Sequence, residues 1–146
     1  MKEGSMNLKE VPLAYLVQEL ESRAIRGPDT ATEIAMKKIG RKRQEHVLGI
    51  FLDNAHRPIK SKVITIGTAT ASMVSPRDIL IEALRCNATS LIVAHNHPSG
   101  DTKPSSEDIG VTERLQVACQ AIGINLLDHI IVSRTGSYSF NAEGRL

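Results

Sequence analysis

The stretch Ser90-Leu91-Ile92-Val93-Ala94-His95-Asn96-His97-Pro98-Ser99-Gly100-Asp101-Thr102-Lys103-Pro104-Ser105-Ser106-Glu107-Asp108 decides how this chain reads. Ser90 to Ala94 is a short apolar run bounded by turn residues, the pattern of a buried strand. Residues two apart on a strand point to one face, so His95 and His97 converge at the end of it. Pro98-Ser99-Gly100-Asp101 is a turn string, and the helix that follows carries Asp108 in its first turn. Two imidazoles and a carboxylate form a donor set that zinc accepts, with a fourth position left for water. That is the layout of a catalytic metal site.

The same residues also have a plainer reading. Ser105 can cap the helix, with the acidic residue three positions later completing a pair of the capping-box kind. A histidine at a buried strand end is usually just hydrogen-bonded. Each residue alone fits that reading, and only their conjunction favours a metal. The two roles of Asp108 are expected to conflict, because a carboxylate directed at both imidazoles should be unable to reach back to the cap.

The spacing, His-x-His, seven residues, Ser, two residues, Asp, is similar to the JAMM signature of the JAB/MPN metalloenzymes. The longer string HNHPSGDTKPSSED resembles the bacterial RadC branch of that family, as do Asp128-His129-Ile130-Ile131-Val132 and Tyr138-Ser139-Phe140 with Glu143-Gly144. The resemblance runs from about Val11 to the end. It implies an α/β (α+β) fold, with a mixed central sheet flanked by helices and related to cytidine deaminases. It also implies one zinc per chain on His95, His97 and Asp108, and hydrolysis of an amide bond through a metal-activated water. Glu45 matches the family's glutamate and would be the general base; Glu33, Glu82 and Glu107 lack that match. Ser105 takes the motif position that donates a hydrogen bond to the oxyanion. Asp101, Asp128 and His129 are weaker candidates for orienting the ligand imidazoles, and Asn96 is expected to secure the loop after the strand.

These roles differ in weight. Lowering the pKa of water from 15.7 to about 7 favours hydroxide by on the order of 12 kcal/mol. A positioned base adds roughly 3–5 kcal/mol. The implied enzyme is a metallopeptidase or isopeptidase with a peptide or protein substrate. Two other functions compete with it. One is an accessory role in DNA repair or recombination, which the RadC name suggests; the other is a metal-stabilised interaction module without turnover. Longer RadC proteins carry a helix-hairpin-helix region, and residues 1–44 show no Gly-apolar-Gly hairpin of that kind, which weakens the DNA role. No Pro-Cys-x-x-Cys follows the histidines, so base deamination is not expected. The contiguous letters His95-Asn96-His97 match a nuclease family's name only by coincidence.

Composition sets outer bounds. With 146 residues and 41% hydrophobic side chains, the chain is expected to form one domain over 11–146 with a proper core, after an N-terminal extension over 1–10. It shows no apolar span of bilayer length and no secretory leader, so a cytoplasmic protein is expected. Cys86 and Cys119 lack the paired spacing of a zinc ribbon and read as buried thiols. A formal charge of +2 is too small to argue for nucleic acid. Lys37-Lys38 and Arg41-Lys42-Arg43 read as a solvated helix end.

Outward from the motif, Val11 to Leu20 fits both a helical face and strand alternation, and resemblance favours a strand. Gly27-Pro28-Asp29-Thr30 breaks the chain before a helix over Ala31 to Ile39 that ends at Gly40. His46 to Leu52 is apolar on both faces, which predicts a central strand hairpinned to a second over Ile59 to Gly67. Ser75 and Pro76 start a further helix. Ser105 to about Ala121 is predicted helical and closed by Gly123, with last strands over Asn125 to Ser133 and Ser137 to Phe140.

Overall fold

Strands that are apolar on both faces need cover on both, and that requirement organises this molecule. A computed structural model of the protein describes residues 12–21, 23–67 and 75–146. The extension expected over 1–10 lies outside the described residues. Five strands, β1 (Glu45–Leu52), β2 (Pro58–Gly67), β3 (Ser90–Asn96), β4 (Asn125–Val132) and β5 (Ser137–Ser139), form one sheet in the order β2-β1-β3-β4-β5. Every pairing is antiparallel except β3 with β4, which is parallel. The sheet is therefore mixed, and its middle strands β1 and β3 are buried almost throughout.

Helix α2 (Pro28–Ile39) covers one face, where Ala31, Ile34, Ala35 and Ile39 meet Leu48, Ile50, Ile92 and Ile130. Helices α3 (Pro76–Arg85) and α4 (Ser106–Ile122) cover the other, where Ile79, Ala83, Leu115 and Cys119 meet Phe51, Leu91 and Val93. Burial pushes the Cys119 thiol up to about 11, whereas Cys86 is only half-buried, contrary to the expectation that both thiols are buried. Parity along β3 puts His95 on the α3/α4 side with Leu91 and Val93. Along α4 the buried stripe of Leu115 and Cys119 extends back to Thr112 and Asp108. Core packing thus aims Asp108 at the end of β3.

The segment favoured as a strand over Val11 to Leu20 is instead helix α1 (Leu13–Glu21). Strand alternation required Leu13 and Tyr15 to be covered with Val17, yet they are 56% and 48% exposed, and only Val17 is buried. The N–H groups of Tyr15 and Leu16 both bond the Pro12 carbonyl, which starts the helix. Helix α2 begins three residues before the expected Ala31, with Gly27 as its extended cap and Pro28 at the first position, where a missing N–H costs nothing. Lys37 and Lys38 occupy its last turn, as anticipated. Gly40 stays right-handed (φ −60°), and the chain leaves through one more turn in which Lys42 N bonds Ile39 O. Ser75 caps α3, and Gly123 closes α4 in the left-handed region. Among the described residues no helix is long and apolar enough to cross a membrane.

Candidate metal centre

His95 leaves β3 inside the molecule, 3% exposed, and His97 follows on the turn. Their Nε2 atoms lie 3.0 Å apart. Asp108 reaches both: its Oδ1 is 3.3 Å from His95 Nε2, and its Oδ2 is 3.3 Å from His97 Nε2. Donors about 2.0–2.1 Å from a tetrahedral zinc lie roughly 3.3–3.4 Å from one another. The two His–Asp spacings match that separation and the His–His spacing is shorter, so these three side chains could hold such an ion. Burial opposes the charge on Asp108, but the two imidazoles hold its carboxyl well below the usual range. The same contact raises the His97 pKa against the opposing effect of burial.

Glu45 arrives by strand register. Val47 pairs with His95 across the antiparallel β1/β3 ladder, so two residues earlier Glu45 stands opposite His97. One carboxylate oxygen of Glu45 and one nitrogen of each histidine all lie within 4.8 Å of one another. Asn96 holds this segment in place. Its Oδ1 accepts from His46 N at 2.6 Å, and its Nδ2 donates to the carbonyls of Lys42 (3.1 Å) and Gln44 (3.0 Å). Asn96 was expected to secure the loop after β3; it secures instead the chain that enters β1. The parity that turns it away from the histidines aims it at that neighbouring strand.

The expected conflict at Asp108 does not arise. Ser105 Oγ accepts from Asp108 N at 3.0 Å, and Asp108 Oδ2 accepts from Ser105 N at 2.9 Å, a complete capping box. A carboxylate has about four lone-pair sites on two oxygens, enough for a cap and the imidazoles together. The Ser105 hydroxyl proton stays available to another acceptor. Glu45, His97, Ser105 and Asp108 share the wall of an open cavity of about 510 Å³ with Arg43 and Glu107.

The imidazoles are oriented by partners that only partly match expectation. His97 Nδ1 lies 2.8 Å from the backbone carbonyl of Asp101, whose side chain is turned to Lys103 N instead. Gly100, at φ +95°, lets the loop fold back for this contact. His95 Nδ1 lies 2.7 Å from His129 Nε2. Burial drives the His129 pKa well down, and its ring stacks on Phe140 at 4.7 Å. Among the described residues Asp128 makes no hydrogen bond to an imidazole ring. It accepts from His129 N, Asn141 N and Ser139 Oγ, and so fastens the C-terminal segment. Sequence reasoning missed Thr112, whose Oγ1 touches both His129 Nδ1 and the Asp108 carbonyl. Its place one helical turn after Asp108 was the available signal.

The RadC-like JAB domain matches residues 25–145. The chain belongs to that family. It is 48% identical over 114 residues to a UPF0758 protein of Streptococcus equi subsp. zooepidemicus, covering 78% of this chain and 51% of that relative. To a UPF0758 protein of Streptococcus pyogenes serotype M49 it is 47% identical over 153 aligned positions, covering 98% of this chain and 67% of the relative. The chain thus spans about half to two thirds of the length of these relatives. The JAB family includes hydrolases and is often metal-binding, which supports a metal-dependent role here.

Proposed function

We propose that this RadC-like JAB domain is a zinc-dependent hydrolase of amide bonds, a peptidase or isopeptidase. The observation that supports the reading most is the convergence of His95, His97 and Asp108 at 3.0–3.3 Å, with a fourth donor-bearing side chain, Glu45, beside them. When bound, zinc polarises a carbonyl and brings the pKa of water to about 7. His95 and His97 offer neutral nitrogens and Asp108 a carboxylate, the ligand types zinc takes in catalytic sites. Glu45 accepts the proton of the attacking water at its carboxylate and returns it to the leaving nitrogen. Ser105 donates a hydrogen bond from its hydroxyl to the oxygen of the tetrahedral species, while its Oγ stays fixed by the Asp108 N–H. Peptide or protein substrates follow from the amide chemistry.

Glu45 separates this reading from a metal-stabilised module without turnover, and also from one in which Glu45 is itself a ligand. The test measures zinc content and hydrolysis of a mixed peptide library, with and without 1,10-phenanthroline, for wild type and Glu45→Gln. The base role predicts a variant that keeps zinc and loses about 10²–10⁴ in rate. Loss of zinc would make Glu45 a ligand, and full activity would remove it from the mechanism.

A further inference from the structure

We infer that Thr112 and His129 are positioning residues, a buried relay that fixes which nitrogen of His95 is bare and couples it to Asp108. The inference rests on the metal-centre reading above. It follows from counting protons along the contacts. Thr112 Oγ1 lies 2.9 Å from the backbone carbonyl of Asp108, and a carbonyl only accepts, so the single hydroxyl proton is committed there. Toward His129, then, Oγ1 is an acceptor, and at 2.5 Å it accepts a hydrogen bond from Nδ1–H. A neutral His129 with its proton on Nδ1 has a bare Nε2, which in turn accepts from His95 Nδ1 at 2.7 Å. A neutral His95 that gives its one ring proton to this contact has a bare Nε2, the atom that lies 3.0 Å from His97 Nε2 and 3.3 Å from Asp108 Oδ1.

His129 is 1% exposed, and neither of its ring partners is an anion, so its neutral form fits its surroundings. Its stack on Phe140, with the rings 7° from parallel, fixes the ring plane. One hydroxyl therefore serves both arms of the site. It sets the tautomer of a ligand on β3 and binds the first turn of α4, which carries the ligand Asp108.

The experiment compares wild type, Thr112→Val and Thr112→Ser for zinc affinity, by competition with a chromophoric chelator. It also reads the ring-nitrogen shifts of His95 and His129 by NMR in zinc-free protein. The relay predicts Nδ1 protonation of both histidines in wild type. It further predicts a 10–100-fold weaker zinc affinity in Thr112→Val, and recovery of affinity and tautomer in Thr112→Ser, which restores the hydroxyl. A merely structural Thr112 would change thermal stability in Thr112→Val and leave the tautomers as in wild type, which would overturn the proposal. So would a zinc-free wild type in which His95 Nδ1 carries no proton. If the wild type bound no zinc, the metal reading would fail by itself, and the tautomers would still decide the relay.

Discussion

The two imidazoles of the site are held in opposite ways. His95 sits within the sheet, nearly enclosed, its Nδ1 against a second buried side chain that is itself held by Thr112 and Phe140. His97 sits on the turn beyond β3, at the cavity wall, its Nδ1 against a backbone carbonyl that a left-handed glycine brings back. The core thus makes one half of the site, and a loop makes the other. The half that must not move is built from packed side chains. The half that faces the cavity is built from backbone, beside Glu45 and Ser105.

Asp108 joins the halves, so removing it should have the largest effect. Asp108→Ala takes away the carboxylate that meets both histidines and that accepts from Ser105 N in the capping box. Zinc binding measured by calorimetry is expected to disappear, together with about 0.5–2 kcal/mol of stability from the lost cap. Retained zinc would show that the two histidines and Glu45 suffice. Next in size is Asn96→Ala. It strands the buried N–H of His46, which should cost about 1–3 kcal/mol in a denaturant titration, and it releases Glu45 while leaving His95 in place. Zinc affinity is therefore expected to fall less than hydrolytic rate. An equal fall in both would dissolve the distinction between the halves.

Gly100→Ala probes the loop half alone. Its Cβ meets no neighbour, so the cost is backbone strain at φ +95°, roughly 1–2 kcal/mol. The NMR signature of His97 should change while that of His95 does not. The smallest effect lies away from the site. Between the edge strand β2 and helix α3, hydrogen bonds from Lys62 and Lys60 lower the Glu82 pKa to about 2, with Arg85 also in contact. A carboxylate with a depressed folded-state pKa contributes stability above its unfolded value of about 4.3 and loses it as pH falls toward the folded value. The melting-temperature gap between wild type and Glu82→Gln should therefore narrow from pH 5 to pH 2, with the zinc site playing no part. A constant gap would mean that the ion pairs contribute nothing that titrates.

Much of this arrangement was legible in the sequence because the physical signals were strong. The apolar runs of β1 and β3 are short, bounded by turn residues and so read as covered strands, and Ser75-Pro76 and Ser105 are caps with a mechanism. Convergence of His95, His97 and Asp108 followed from two periodicities, that of a strand and that of a helix. What escaped the reading had two equal solutions or depended on tertiary neighbours. Leu13, Leu16 and Val17 satisfy a helix as well as Leu13, Tyr15 and Val17 satisfy a strand, and only the exposure of Tyr15 decides between them. Asn96 and Thr112 are ordinary residues on their own elements, and their importance comes from β1 and His129, which the chain brings to them from a distance. The dual use of Asp108 was misjudged by treating a carboxylate as a single acceptor.

The most direct measurement of the central claim is zinc stoichiometry by native mass spectrometry and elemental analysis on protein purified without chelator, with His95→Ala and His97→Ala beside the wild type. The account predicts one zinc per wild-type chain and none in either variant. A wild type without zinc, or variants that hold it as tightly as the wild type does, would contradict it.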